Sequence, residues 1–278
     1  MKIYKLKKGL MIERDRSWFR LTEVDWDHFI NDDRLLDKAM EVISSLSPAP
    51  EPAQILREEL VAPIGGQELW ASGVTYFRSK QGRQEESREA GGADFYSRVY
   101  EAARPELFFK ATRERVVGHG EKVRIRKDSS WDVPEPELVL MLSSNGKLVG
   151  YTLGNDMSSR SIEGENPLYL PQAKTYDGCA ALGPCVLVAE EPLAPETTIR
   201  LTIRRRGTDV FGGEVAISQI KRSFEELAGY LFRELSFSKG VLLMTGTGIV
   251  PGRDFTLRSG DLVTISVDEI GTLANEVA

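Results

Sequence analysis

The chain has 278 residues, a net charge of −6 at pH 7, and 41% hydrophobic and 28% charged residues. This length suits a large core in one or two domains, and the acidic balance argues against a broad nucleic-acid-binding or membrane-binding surface. No apolar stretch approaches the ~20 residues that span a bilayer. The two cysteines, Cys179 and Cys185, are typical of small buried residues in a reducing compartment, and we expect a cytoplasmic protein.

The first part of the chain is predicted to form a separate small unit. A helix is expected over residues 32–44, where apolar residues recur at helical spacing. The proline-rich segment 47–52 then forms a stiff connector. We place the boundary near Pro63, which divides the chain into a domain of residues 1–62 and a domain of residues 63–278.

Beyond Pro63, strand patterns dominate. The polar stretch 76–92 is predicted to be a lid or a mobile loop, and a short helix is expected from Asp94 to Ala103. Strands are expected at 69–74, 107–109, 183–188, 199–204, 215–217, 241–244 and 261–267, with a loop over 158–177 and a helix over 223–234. This is a β-rich α+β chain, for which a β-roll or barrel is the natural closure.

Two apolar strands on either side of Asn145-Gly146 carry three acidic residues. Asn-Gly is a strong hairpin signal, and a two-residue turn there fixes the register of both strands. Glu135 then faces Asp156 at a Cβ separation of about 5 Å. Glu137 shares a face with Glu135 and is opposite Gly154, which leaves room. A single β-bulge would move Asp156 to the other face.

Three carboxylates at one buried point require a compensating cation, because burying each charge alone costs several kcal/mol. Carboxylate oxygens without nitrogen or sulfur ligands suit Mg²⁺, Mn²⁺ or Ca²⁺. The alternative is an exposed hairpin end with solvated acids.

These residues resemble the fumarylacetoacetate hydrolase superfamily, over roughly Pro63 to Val277. The resemblance rests on Glu135-x-Glu137, Gly154-Asn155-Asp156-x-Ser158-x-Arg160, Lys174, Leu243-x-Thr245-Gly246-Thr247 and Leu257-x-x-Gly260-Asp261. It implies a mixed β-roll catalytic domain with a small N-terminal domain, in a homodimer or homotetramer. It also implies that Glu135, Glu137 and Asp156 bind Mg²⁺, with Mn²⁺ as the alternative. Lys174 would then assist chemistry on a bound 2-oxo acid.

The chain departs from the pattern of C–C hydrolases in this superfamily. Their lid carries Asn-Tyr-x-x-His-x-x-Glu, in which the histidine and glutamate activate water, whereas this chain has Ser79 and Gly82 at those positions. Its two histidines, His28 and His119, are expected at the surface. Without a general base for water, hydrolysis is disfavoured.

Three segments are similar to one branch of the superfamily, the 2-keto-3-deoxy-D-arabinonate dehydratases of pentose oxidation. They are residues 74–79, 129–137 and 161–172. The similarity implies a hydro-lyase that converts 2-keto-3-deoxy-D-arabinonate to 2,5-dioxopentanoate. It also suggests Glu106 as a second proton-handling residue beside Lys174, whose role as acid or base stays open. The alternatives are a C–C hydrolase or decarboxylase of acylpyruvate-like oxo acids, and a non-catalytic sugar-acid-binding protein.

Four residues are candidates for binding the substrate. Arg78, next to Ser79, carries a guanidinium that suits a planar carboxylate, although a solvated loop arginine is the alternative. Thr245 and Thr247 follow a buried strand and could hold the substrate carboxylate, or simply form a structural turn. Three carboxylates with one dication leave a single negative charge, which Lys174 is expected to offset.

Overall fold

The computed structural model describes residues 1–79 and 98–278. The predicted lid lies largely outside the described residues, as do Gly82 and the beginning of the helix expected from Asp94. The helices are α1 (Trp26–Ile30), α2 (Leu35–Ser44), α3 (Pro52–Glu59), α4 (Arg160–Glu165), α5 (Leu170–Lys174) and α6 (Phe224–Leu231). Among these described helices, none combines the length and the apolar character that a membrane crossing requires.

The strands alternate with these helices along the chain. They are β1 (Lys2–Lys5), β2 (Leu10–Arg14), β3 (Ser17–Leu21), β4 (Glu68–Gly73), β5 (Glu106–Ala111), β6 (Val116–Val117), β7 (Asp132–Val133), β8 (Pro136–Leu142), β9 (Leu148–Asp156), β10 (Ser158–Ser159), β11 (Ala180–Leu187), β12 (Thr198–Arg205), β13 (Thr208–Ala216), β14 (Val241–Met244), β15 (Leu262–Val267) and β16 (Gly271–Glu276).

A large mixed sheet forms the centre of the fold. Its strand order is β3-β2-β1-β11-β9-β8-β14-β4-β5, with β6 beside β11, and the β4–β14 and β6–β11 pairs are parallel. A second, antiparallel sheet has the order β13-β12-β15-β16, and β7 pairs with β10. The predicted β-rich α+β class is therefore confirmed.

Strand β8 is buried on both faces. Leu138 and Leu140 belong to the core that also contains residues of the second sheet, whereas Val139 and Met141 belong to the core that contains α1 and α2. A strand covered on both sides needs apolar residues at successive positions, which explains why the segment reads as a continuous apolar run. Glu137 lies at the end of the Val139–Met141 face.

The N-terminal strands join the same sheet as β8 and β9. Strand β1 pairs with β11 through Lys2 opposite Leu187 and Ile3 opposite Val186. The sheet is thus continuous across the predicted boundary near Pro63. The division of the chain into two domains stays a prediction.

Several predicted elements are confirmed, and one is wrong. Strand β14 has the predicted bounds, and the Ser223 side chain caps α6 by accepting a hydrogen bond from the Glu226 amide. Helix α2 begins at Leu35 rather than at residue 32. The stretch 158–177, predicted as a loop, contains α4 and α5. These helices are too short to show an apolar period in the sequence.

The hairpin between β8 and β9 is longer than the predicted two-residue turn. Leu142 faces Leu148, so five residues connect the strands, and the register shifts between Met141 and Leu142. Met141 then faces Gly150, as a two-residue turn would have placed it. The longer turn offsets the strand pairing by one residue, and the bulge reverses this offset.

This cancellation preserves the register that matters for the acidic residues. Glu137 faces Gly154, as predicted, and the Asp156 amide donates to the Glu135 carbonyl at 2.9 Å. Asp156 therefore stays on the side of Glu135. The space beside Gly154 was predicted to be free, but Val139 and Met244 fill it. An added Cβ would lie 2.6 Å from Val139 Cγ2 and 2.7 Å from Met244 Cε.

The close approach at Gly154 gives a test of packing. We expect Gly154→Ala to lower the free energy of unfolding by about 1–3 kcal/mol, because Val139 and Met244 must move. Urea denaturation measures the change. Gly229→Ala is the matched control, since no heavy atom lies within 4 Å of its added Cβ and alanine favours the helix. Equal effects of the two substitutions would contradict close packing at Gly154.

Candidate metal centre and active site

The three predicted carboxylates come together at the adjoining ends of β8 and β9. Glu135 immediately precedes β8, Glu137 lies within it, and Asp156 is the last residue of β9. Their exposed fractions are 5%, 1% and 1%. One oxygen of each lies within 4.8 Å of the others. A buried set of oxygen ligands at this spacing fits Mg²⁺ or a similar hard dication.

The surroundings of Glu137 disfavour the ionised form of its carboxyl group. Burial, followed by the negative charges of Asp156 and Glu135, raises its pKa well above the ordinary value. The amide of Gly246 donates to Glu137 Oε2 at 2.5 Å and offsets only part of this effect. A bound dication supplies the positive charge that ionised Glu137 needs, so binding should release a proton.

Asp156 lies between two buried lysines. Lys110 Nζ is 2.6 Å from Asp156 Oδ1, and Lys174 Nζ is 2.8 Å from Oδ2. Burial alone would raise the pKa of Asp156, but the two ammonium groups outweigh it and this pKa lies below its ordinary value. The carboxylate is therefore held ionised and in a fixed orientation.

Lys110 is a buried residue beside the acidic triad that the sequence reasoning missed. It is completely buried in β5, and its ammonium also donates to the carbonyl of Met157 at 2.9 Å and to the carbonyl of Lys174. Strand alternation from Glu106, already a candidate, points to Phe108 and Lys110, although the register of β5 against β4 shifts at Lys110. Two carbonyl acceptors and the paired carboxylate of Asp156 surround the ammonium, which indicates a positioning role.

Lys174, at the end of α5, contacts the metal ligands directly. Its Nζ lies 2.8 Å from Glu135 Oε2 and 2.6 Å from Ser158 Oγ, in addition to Asp156. Arg160 Nη2 donates to the other oxygen, Glu135 Oε1, at 2.6 Å. Each of these contacts joins α4 or α5 to the ends of β8 and β9.

These contacts change the charge expected from the sequence. When all three carboxylates are ionised, the cationic side chains of Lys110, Lys174 and Arg160 balance their charge. A dication then makes the site positive rather than negative. This corrects the expected single negative charge, and it favours an anionic 2-oxo acid.

A narrow cavity brings several predicted residues together. Ser79, Thr247, Glu135, Asp156 and Lys174 are among the residues that line it. Its volume is about 10 Å³, which is room for roughly one water molecule. Metal and substrate therefore need side chains here to rearrange.

The remaining predicted substrate contacts have different surroundings. Ser79 Oγ donates to the Tyr76 carbonyl at 2.7 Å, and Thr247 Oγ1 donates to the Ile249 carbonyl at 3.2 Å. Thr245 Oγ1 donates to the carbonyl of Leu138 at 2.9 Å, which ties β14 to β8. Arg78 is half-buried. Their roles in substrate binding stay predictions. The histidines behave as predicted, because His28 and His119 are both exposed.

Glu106 lies between two cavities. An added Cβ on Gly73, which lines the narrow cavity, would lie 2.0 Å from Glu106 Oε2. The glycine thus leaves room for the Glu106 carboxyl beside a residue that lines the narrow cavity. On its other side Glu106 lines a larger cavity of about 740 Å³, together with Pro105 and Leu168.

Residues 75–278 match the family model described as Fumarylacetoacetate (FAA) hydrolase C-terminal. The chain belongs to the fumarylacetoacetate hydrolase family. This confirms the superfamily and the fold type expected from the acidic and glycine motifs. Members of this family named as dehydratases are similar to the chain over most of its length.

A probable 2-keto-3-deoxyxylonate dehydratase of Haloferax volcanii is 42% identical, over 98% of this chain and 96% of that protein. A 2-dehydro-3-deoxy-D-arabinonate dehydratase of Saccharolobus solfataricus is 45% identical, over 81% of this chain and 76% of that protein. A solved 2-keto-3-deoxy-D-arabinonate dehydratase, complexed with magnesium and 2,5-dioxopentanoate, superposes with a TM-score of 0.84. It is 36% identical, over 100% of this chain and 98% of that chain.

The raised pKa of Glu137 predicts how pH affects the metal-free protein. The folded state holds this proton more tightly than the unfolded state, so stability should fall as pH rises above the ordinary pKa of 4.5. Mg²⁺ should remove this loss. Glu137→Gln should abolish both effects, while Glu214→Gln, at an exposed position, should leave them unchanged. Thermal unfolding with EDTA or Mg²⁺ across pH 5–8 provides the measurement; a pH-independent wild type contradicts the assignment.

Lys110 provides a test of the buried ion pair. We expect Lys110→Met to lower the free energy of unfolding by about 3–5 kcal/mol, because Asp156 Oδ1 loses its buried cation. Lys122→Met removes an exposed lysine paired with Glu276, and should cost under about 1 kcal/mol. Urea denaturation of both metal-free variants makes the comparison. Similar losses would show that the contact of Lys110 with Asp156 is not stabilising.

Proposed function

We propose that this protein is a metal-dependent hydro-lyase that converts 2-keto-3-deoxy-D-arabinonate to 2,5-dioxopentanoate. The observation that carries the proposal is the buried carboxylate triad with Lys174 held against two of its members. Relatives at 42% and 45% identity are named as dehydratases of 2-keto-3-deoxy pentonates. The substrate is a 2-oxo acid, and its negative charge suits a site that a dication has made positive.

Glu135, Glu137 and Asp156 hold Mg²⁺, with Mn²⁺ as the alternative. When bound, the ion supplies Lewis-acid polarisation of the C2 carbonyl, which acidifies the neighbouring C3 protons. Lys174, which lines the cavity beside the triad, handles the C3 proton. Lys110 keeps Asp156 and the backbone of Lys174 in place while this proton moves.

Glu106 is the second proton-handling residue of the proposal. It lies beside Gly73 at the edge of the narrow cavity, and it also lines the larger cavity. There it can protonate the C4 hydroxyl, which leaves as water when the C3–C4 double bond forms. Tautomerisation through C5 then gives the aldehyde. Arg78, Ser79, Thr245 and Thr247 complete the proposal as substrate-binding residues.

Hydrolysis of a C–C bond is the less favoured alternative. Ser79 replaces the lid histidine of the hydrolases, and its hydroxyl both donates to and accepts from the backbone of Tyr76. A hydroxyl engaged in this way is no substitute for a general base.

We also propose an oligomeric state and a cellular location for the protein. A homodimer or homotetramer is expected from the family resemblance. A cytoplasmic location is supported by two buried free thiols, Cys179 and Cys185, which are typical of a reducing compartment.

A direct assay separates these reactions. We expect the Mg²⁺-loaded protein to form an aldehyde from 2-keto-3-deoxy-D-arabinonate, detected by NMR and semicarbazide trapping, and to leave acylpyruvates intact. Lys174→Met should lower kcat by about 10²-fold or more, because positioned proton transfer is lost. Lys147→Met, at the hairpin turn, is the control and should keep full activity. Faster cleavage of acylpyruvates, or release of carbon dioxide, would favour the hydrolase or decarboxylase instead.

A further inference from the structure

Val74 has an unusual backbone conformation. It follows the last residue of β4, and its φ is +54°. A β-branched residue is rare in this left-handed region, because its Cβ crowds the backbone. Such a conformation costs about 1–3 kcal/mol and persists only where the surroundings enforce it.

The apolar core does not explain this residue. Val74 is only 4% exposed, yet it belongs to neither of the two core clusters found in the described part of the chain. Val74 is instead one of the residues that line the narrow cavity, together with Glu135, Asp156 and Lys174. An apolar side chain is thus buried against a polar cavity.

Phe108 is the second apolar side chain among the described residues that line this cavity. It lies on the same face of β5 as Glu106, and the Lys174 ammonium is 5.6 Å from its ring centroid. Val74 and Phe108 therefore give the cavity an apolar wall close to the group that handles the proton. The cationic and hydroxyl side chains among the other lining residues can bind the carboxylate and carbonyl oxygens of a 2-oxo acid.

We propose that Val74 is a specificity-determining residue whose side chain packs against the C3 methylene of the substrate and rejects acids that carry a hydroxyl at C3. This inference rests on the proposed function. In a 2-keto-3-deoxy acid, C3 is the carbon without oxygen that lies next to the carbonyl. A hydroxyl placed against Val74 would lose its water without gaining a hydrogen bond.

Two small 2-oxo acids test the inference without turnover. 2-Oxobutanoate has a C3 methylene, 3-hydroxy-2-oxobutanoate carries a hydroxyl on that carbon, and neither carries a C4 hydroxyl that could leave. We expect the Mg²⁺-loaded wild type to bind 2-oxobutanoate at least about tenfold more tightly in calorimetry. Val74→Thr keeps the shape but adds a hydroxyl, and should reduce this ratio to about threefold or less. An unchanged ratio in Val74→Thr would overturn the proposal.

A second pair of variants separates the side chain from the backbone. Val74→Ala and Val74→Gly both remove the isopropyl group of Val74. Both should therefore lower the ratio of the affinities for the two probes by the same factor. Glycine relieves the left-handed strain, so the unfolding midpoint of Val74→Gly should equal or exceed that of Val74→Ala. The exposed turn residue Arg206, with φ +50°, is the matched control. Its Gly and Ala variants should show the same order of midpoints with an unaltered binding ratio.

The outcomes distinguish the two proposals. If the wild type discriminates between the probes and Val74→Thr does not, the inference stands even when the dehydratase assay fails. If the wild type dehydrates the pentonate but binds both probes equally, the proposed function stands and the role of Val74 is refuted. Mn²⁺ binding by each variant, followed by electron paramagnetic resonance, checks that the metal site is intact.

Discussion

The rest of the site depends on how three buried carboxylates are neutralised. Asp156 has a lysine at each oxygen, and Glu135 lies between Lys174 and Arg160. The protein itself therefore orients both side chains and places positive charge beside them. Within the described part of the chain, Glu137 makes its hydrogen bond with the backbone amide of Gly246 and not with a cationic side chain. The need for a dication is thus greatest at Glu137, because the other two carboxylates already have cationic partners before a metal binds.

The sequence predicted the acidic triad because it depends on local features: strand alternation and an Asn-Gly turn. It did not predict the turn length, because that is set by contacts with the N-terminal region. Ser143 Oγ donates to Asp33 Oδ1 at 2.5 Å, and the Ser144 amide donates to Asn31 Oδ1 at 2.7 Å. These bonds hold the longer turn against α1 and its following loop. The bulge then restores the register that the acidic residues require.

Lys110 shows a different limit of sequence reasoning. A lysine in a short apolar strand usually indicates an exposed position or a strand edge. Its oxygen partners come from Asp156, Met157 and Lys174, which are distant in the sequence and meet it only in the folded chain. Alternation from Glu106 points to Lys110, but only the tertiary structure shows that its side chain is buried among acceptors.

Strand β5 ends the large sheet in the described part of the chain, and it pairs there with β4 alone. An edge strand held on one side is the least constrained part of a sheet. Lys110 donates to the carbonyl of Met157, directly after β9, and to the carbonyl of Lys174, at the end of α5, and so attaches β5 to both segments. Because Glu106 and Phe108 belong to the same strand, the same attachment fixes their distance from the triad. A single buried ammonium therefore both orients a metal ligand and holds the strand that carries the proposed proton donor.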